Sequence, residues 1–272
     1  MSVPRDRDTI PGRFELKYTI PADRIDAIVD FLSPYCVFDR HSADAENGFY
    51  LINSLYFDSP AYYFLRQRIL RAENRFNMRV RTYGANPELP YFLEVKQRTG
   101  DLVRKFRGQL FDSDLKTFLG ENLASPGPAG GDNDESADLF RRTAHRYNAS
   151  PVVLVQYLHK ALVSVCDEYA RVTFDLGLRC AERRSYDPLP VEEDMIPCDT
   201  PACFDGGCGV VLELKCHASH VPLWMIDLVK QFHLTRRGFS KYANCLRPVL
   251  ERHGTGREFT RVPALTRDRG EQ

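Results

Sequence analysis

Residues 78–109 read MRVRTYGANPELPYFLEVKQRTGDLVRKFRGQ, and this stretch decides the fold. Arg79 and Arg81, Glu94 and Lys96, and Lys105 and Arg107 are charged pairs spaced two apart. In a β-strand, residues two apart point to the same face. Turn formers separate the three segments: Gly84, Asn86 and Pro87, then Thr99, Gly100 and Asp101. The pattern predicts a three-stranded antiparallel meander with one strongly basic face, suited to a polyanion.

Upstream, residues 13–20 (RFELKYTI) alternate, with Phe14, Leu16, Tyr18 and Ile20 on one face and Arg13, Glu15, Lys17 and Thr19 on the other. Pro21 ends that strand and opens a helix with an apolar stripe of Ile25, Ile28, Val29 and Leu32. A polar loop at 39–48 leads to a second strand at 49–57, a turn or cap at Asp58, Ser59 and Pro60, and a helix over 61–70. Downstream, Ser113 or Asp114 caps a short helix through Leu119. Residues 124–136 (ASPGPAGGDNDES) have the composition of a flexible insertion. A helix over 138–147 and a long apolar strand at 151–165 follow. Residues 169–175 put Arg171, Thr173 and Asp175 on one face. After an irregular 182–207, the strand at 209–216 pairs Glu213 with Lys215, and amphipathic helices are expected at 222–234 and 239–252, with Pro248 able to kink or end the second. The expectation is an α+β fold, a single domain over 13–252. Its eight antiparallel strands close or stack to remove their edges, with helices at the margins and mobile tails at 1–12 and 253–272.

Charged pairs thus recur on five strands whose opposite faces are mostly apolar. Two arrangements fit. The charged faces point to solvent around an ordinary core, or they line a wide barrel whose apolar faces pack against helices. In the second case they stay ionised only in a wet lumen or against a ligand. Arginine forks, lysine point charges and a few carboxylates are also the chemistry of phosphate with a divalent metal.

The 272 residues carry 37 basic and 37 acidic side chains, so a general nucleic-acid coat is disfavoured and any basic site arises by local clustering. The longest apolar run, 151–158, is far short of the ~20 residues that span a bilayer. The first residues lack an apolar leader core, and a cytoplasmic protein is expected. Eight cysteines are many for that compartment. Cys198, Cys203 and Cys208 are five apart, unlike a zinc knuckle, and although Cys216, His217 and His220 lie near, reduced thiols are the expected state.

RFELKY, SLYFDS followed by Tyr62, MRVRTY, YFLEVK, VRKFRG, ARVTFD, VLELK and FSKY occur in that order between residues 13 and 250. On these motifs the chain resembles the VTC domain, the polyphosphate polymerase domain of vacuolar transporter chaperones and its bacterial relatives, within the CYTH/triphosphate tunnel metalloenzyme superfamily. The resemblance implies an eight-stranded antiparallel β-barrel, the triphosphate tunnel. It implies transfer of the ATP γ-phosphoryl group to polyphosphate. By the same matching, Arg79, Arg81, Lys96, Arg171 and Lys241 are catalytic, and Lys17, Lys105, Arg107, His159 and Lys215 bind phosphate. Glu213 matches the carboxylate that holds Mn2+ or Mg2+, with Glu15 and Glu94 as helpers. ATP and inorganic polyphosphate are the implied partners. Any coupling to a membrane would need a partner protein.

One departure stands out. The family carries Tyr-x-Arg on the sixth strand, whereas Tyr157 is followed here by Leu158, His159 and Lys160. His159 replaces a permanent bidentate cation with a group of reference pKa about 6.5. Two alternatives stay open beside the polymerase: a metal-dependent triphosphatase and a non-catalytic polyphosphate-binding module. R-x-E-x-K on the first strand, in place of the hydrolases' E-x-E-x-K, disfavours hydrolysis.

Overall fold

The computed structural model describes residues 13–86, 88–100, 102–111, 114–120, 134–199 and 209–252. Alternation of polar and apolar side chains produces the strands: β1 (Arg13–Ile20), β2 (Cys36–Phe38), β3 (Tyr50–Asp58), β4 (Asn74–Tyr83), β5 (Tyr91–Thr99), β6 (Leu102–Leu110), β7 (Ser150–Ser164), β8 (Ala170–Glu182), β9 (Ile196–Pro197) and β10 (Val210–His217). The helices are α1 (Ile25–Leu32), α2 (Arg40–Ala43), α3 (Tyr63–Ile69), α4 (Leu115–Gly120), α5 (Asp134–Tyr147), α6 (Leu223–Gln231) and α7 (Lys241–Arg252).

All pairings are antiparallel. The meander β4–β5–β6 forms as its charged pairs predict, with Arg79 opposite Glu94 and Glu94 opposite Arg107. The order β7-β3-β4-β5-β6-β1-β10-β8 returns to β7 through the β7–β8 pairing, so eight strands form a ring. The short β2 and β9 add to the margins of β7 and β8, making ten strands where eight were expected. Segments of three and two residues are too brief to show an alternation.

The ring has a seam. β1 and β6 meet only at Arg13 and Val103. Beyond that point the chain leading into α7 takes over the edge of β1: Arg236 bridges Tyr18, and the Arg237 amide donates to the Lys17 carbonyl at 2.8 Å. This segment carries the start of α7 to the inside of the ring.

Two of the three apolar clusters lie outside the ring, between strands and helices, and the third lines part of its inner wall, where Val153 and Val155 share a face with Tyr157 and His159. Met78, Val80, Leu93 and Val95 pack with Phe64 of α3 and Phe140 of α5. Val153, Val155 and Leu178 pack with Leu246 and Val249 of α7. Val172, Leu212 and Leu214 pack with Ile28 of α1 and Leu228 of α6. With the outer apolar faces committed to α1, α3, α5 and α6, the charged faces are left to the interior, as in the second arrangement. Gly108 lets α5 approach β6, since a Cβ there would sit 2.6 Å from the Ala137 backbone nitrogen.

Several boundaries differ from the sequence reading. The loop at 39–48 contains α2, because Asp39 accepts the Ser42 amide at 2.9 Å and caps it. α5 starts at Asp134, inside the stretch read as a linker. β8 runs on to Glu182, held by β7 on one side and β9 on the other. Pro248 lies within α7 without ending it. The tails at 1–12 and 253–272, residues 121–133 with most of the expected insertion, the Ser113 cap, the turn residues Pro87 and Asp101, and Cys203 and Cys208 lie outside the described residues. Among the described residues, no helix is long and apolar enough to cross a membrane.

Candidate active site

The ring encloses a cavity of about 620 Å³ to which all eight of its strands contribute. Fourteen lysines and arginines line it, against the carboxylates of Glu15, Asp39, Asp175 and Glu213. The whole chain is neutral, so this excess is local. Every basic residue singled out in the sequence faces this cavity: Lys17, Arg79, Arg81, Lys96, Lys105, Arg107, Arg171, Lys215 and Lys241. His159 joins them.

The cations are held in two groups. The first surrounds Glu94, which is 2% exposed. Arg79 Nε donates to Glu94 Oε2 at 2.8 Å, Lys105 Nζ lies 2.6 Å from Oε1, and Arg81 and Arg107 approach to 3.8 and 3.5 Å. Burial pushes the Glu94 carboxyl up, but Arg81, Arg79 and Lys105 together hold it well below the usual carboxylate range. Tyrosine hydroxyls accept one further hydrogen bond from each of three arginines: Tyr56 from Arg79 at 3.0 Å, Tyr157 from Arg81 at 3.2 Å, and Tyr83 from Arg107 at 2.6 Å. The Arg107 guanidinium also lies 3.8 Å from the centre of the Phe92 ring. Rigid arginine forks of this kind suit phosphate oxygens.

The second group lies on β1, β10 and β8. Register sets Lys17 opposite Glu213 and Glu15 opposite Lys215. Glu213 pairs with Lys17, with Lys215 at 3.0 Å and with Lys241 at 3.5 Å. Glu15 pairs with Lys96, which reaches over from β5 across the seam between β6 and β1. Burial raises the Glu15 carboxyl, but Lys96, Lys17 and Lys215 outweigh it and keep it ionised. Burial, and then Lys241, pulls the Lys17 ammonium well below its ordinary value. Arg171 donates to Asp39 Oδ2 at 3.2 Å.

His159 faces Asp175 across β7 and β8, and its Nδ1 meets that carboxylate. Lys241 Nζ reaches the other oxygen of Asp175. Burial lowers the imidazole pKa even though Asp175 opposes the shift. Lys160 points to the opposite face, as expected for a regular strand, with its ammonium 4.3 Å from the centre of the Phe49 ring.

Sequence reasoning missed Asp175, Asp39 and the three tyrosines as site residues. Asp175 shares a face with Arg171 and Thr173, and Tyr83 is two residues beyond Arg81, so period-two alternation could have found both. Asp39 comes from a loop that carries no such signal. Arg13, in the place of the hydrolases' first glutamate, lies 3.9 Å from the centre of the Tyr169 ring.

For a divalent cation, Glu15, Glu213 and Asp175 form a diagonal row across β1, β10 and β8. No three carboxylates among the described residues bring oxygens within 4.8 Å of one another. The donor set therefore fits a hard ion taken by one or two carboxylates, with ligand phosphates completing its shell. Glu94 is enclosed by its four cations and lies outside that row.

A search of curated proteins finds no match. Solved structures similar to this chain include a candidate adenylate cyclase from Vibrio parahaemolyticus, at 13% identity over 86% of this chain and 97% of that one, with a TM-score of 0.44. Another, from Bacillus halodurans, is 12% identical over 84% and 95%, with a TM-score of 0.45. A third, from Hippeastrum and described as having a dominant triphosphatase activity, is 15% identical over 89% and 96%, with a TM-score of 0.43. At such TM-scores none of these likenesses bears on what this chain does. The sequence matches the VTC domain over residues 12–250, almost the whole of the ring and its helices. The chain belongs to the VTC domain family.

Proposed function

We propose that this chain is a polyphosphate polymerase that uses its ring as a tunnel, transferring the γ-phosphoryl group of ATP to the end of a polyphosphate chain. The observation that carries this reading is the convergence of fourteen cations on one cavity in a chain of zero net charge. The terminal phosphate of the acceptor is an oxyanion near neutral pH and needs no general base. One of its oxygens attacks the γ-phosphorus, a new P–O–P linkage forms, and the bond to ADP breaks with its electron pair leaving on ADP. The protein's part is alignment and charge neutralisation. Arg79, Arg81, Lys96, Arg171 and Lys241 take that part, while Lys17, Lys105, Arg107, Lys215 and His159 hold the rest of the phosphate thread. Glu94 acts as a fixed counter-ion that keeps the arginine forks in place. A Mn2+ or Mg2+ ion, held by Glu213 with Glu15 or Asp175 beside it, would add charge neutralisation on the bridging phosphates. The proposed setting is the cytoplasm, with any link to a membrane made by a partner protein.

A second reading, a module that binds polyphosphate without catalysis, is favoured by one observation: a histidine of lowered pKa, its side chain only 12% exposed, stands where the family resemblance places an arginine. Incubation of purified protein with ATP and Mn2+ separates the readings. Long-chain polyphosphate with ADP supports the polymerase, free phosphate alone indicates a triphosphatase, and neither product, with polyphosphate still bound, indicates the binding module.

A further inference from the structure

We infer that Cys180, Cys198 and Cys245 form a structural zinc site that fastens α7 to the inner wall of the ring, on the face that Val155 shares with Tyr157 and His159. Cys180 lies on β8, Cys198 follows β9, and Cys245 lies on α7. All three are 0–1% exposed. Their sulfurs lie within 4.8 Å of one another, and those of Cys180 and Cys198 are 3.0 Å apart. Among the described residues, this is the one group of three or more His, Cys, Asp or Glu side chains whose ligand atoms come so close. Zinc–sulfur bonds of about 2.3 Å in a tetrahedron put sulfurs roughly 3.8 Å apart, inside the range these three span. The Cys180 thiol donates to the Cys245 carbonyl oxygen at 3.2 Å, so β8 and α7 already meet at the sulfurs.

Charge selects the ion. Leu178, Tyr242, Leu246 and Val249 belong to the same apolar cluster as the thiols. Three thiolates there need a cation. Zn2+ leaves one net negative charge, whereas Cu+ would leave two, so the divalent ion fits the dry pocket better. Binding exchanges three S–H bonds for three Zn–S bonds and releases three protons, with no change of oxidation state. The site ties three parts of the chain that local sequence does not join. Cys245 is one turn along α7 from Lys241, which meets Asp175 and Glu213 inside the ring. Zinc would therefore fix the helix that delivers that lysine.

The test is the zinc content of the full chain expressed with zinc supplied and purified without chelator, beside a count of free thiols in denaturant without reductant. The expected result is about one zinc per chain with all eight cysteines reduced. C180S, C198S and C245S should each lower the zinc content at least tenfold, while C166S, which alters an exposed thiol, should retain it. Should the three variants fail to fold, cobalt loaded into the wild-type chain gives an independent reading through the intense visible absorption of a tetrahedral thiolate complex. Absence of both zinc and that absorption, a disulfide between Cys180 and Cys198, or undiminished zinc in C245S would overturn the site. None of these readings depends on polymerase activity.

Discussion

Tyr242, the second residue of α7, donates its hydroxyl hydrogen to the buried carboxylate of Asp58 at the end of β3. The same carboxylate accepts the amides of Ser59 at 2.7 Å, Phe64 at 2.9 Å and Leu65 at 3.0 Å, and so caps α3. One side chain thus joins the SLYFDS and FSKY segments, which lie 184 residues apart. It fixes the start of the helix that presents Lys241 to the cavity.

Tyr242→Phe should cost about 1 kcal/mol, since Asp58 keeps three amide donors. Asp58→Ala should cost more. The lost cap contributes ~1–2 kcal/mol, and the orphaned tyrosine hydroxyl adds about 1–3 kcal/mol. Urea melts of both single variants and the double variant would reveal the coupling, and strict additivity would refute it.

Lys96→Ala and Arg81→Ala are each expected to abolish polymer synthesis, a loss on the order of 100-fold or more. Polymer yield from ATP and Mn2+ is the measurement. Full activity in either variant would count against the tunnel assignment. Glu94→Gln tests the counter-ion role, because Arg79, Arg81, Lys105 and Arg107 all lean on that carboxylate. Reduced affinity for tripolyphosphate is expected although a negative charge has been removed.

His159→Arg should tighten tripolyphosphate binding several-fold. The histidine is neutral near pH 7, because burial lowers its pKa, whereas arginine would add a permanent fork beside Asp175. Calorimetry at fixed salt would show the change. Equal or weaker affinity would mean that the pocket cannot seat the longer side chain.

Burial, reinforced by Arg81, Arg79 and Arg107, brings Lys105 down to about 7 despite its contact with Glu94. Below that pH the ammonium is charged and ready for phosphate. Above it, binding must first take up a proton, so affinity should fall as pH rises through 7. For folding the sign is opposite. The unfolded chain keeps this proton up to its ordinary pKa near 10.5, so between about 7 and 10.5 the ligand-free chain should gain stability from this group as pH rises. Comparing the pH dependence of tripolyphosphate affinity between wild type and Lys105→Met isolates the binding effect. Parallel profiles would rule it out.

Gly108→Ala should destabilise the fold by about 1–3 kcal/mol, because the added methyl meets the α5 backbone at Ala137 rather than a side chain able to turn away. A thermal melt unchanged from wild type would show that α5 can shift outward freely.

Strand identity was legible in the sequence because alternation is a local property. RFELKYTI, MRVRTY, YFLEVK and VLELK each state which residues share a face, and those faces are the ones the structure uses. The direction of each face was not legible. Arg79 and Arg81 read the same on an outer wall as inside a ring, and only the β7–β8 pairing, with α1, α5 and α6 covering the outer apolar sides, turns them inward. Partner choice was equally out of reach. Asp175 with His159, Asp58 with Tyr242, and Cys180 with Cys198 and Cys245 depend on register and on helix docking across long stretches of chain. The period of a strand is set by neighbouring residues, whereas what its side chains meet is set by where distant segments pack.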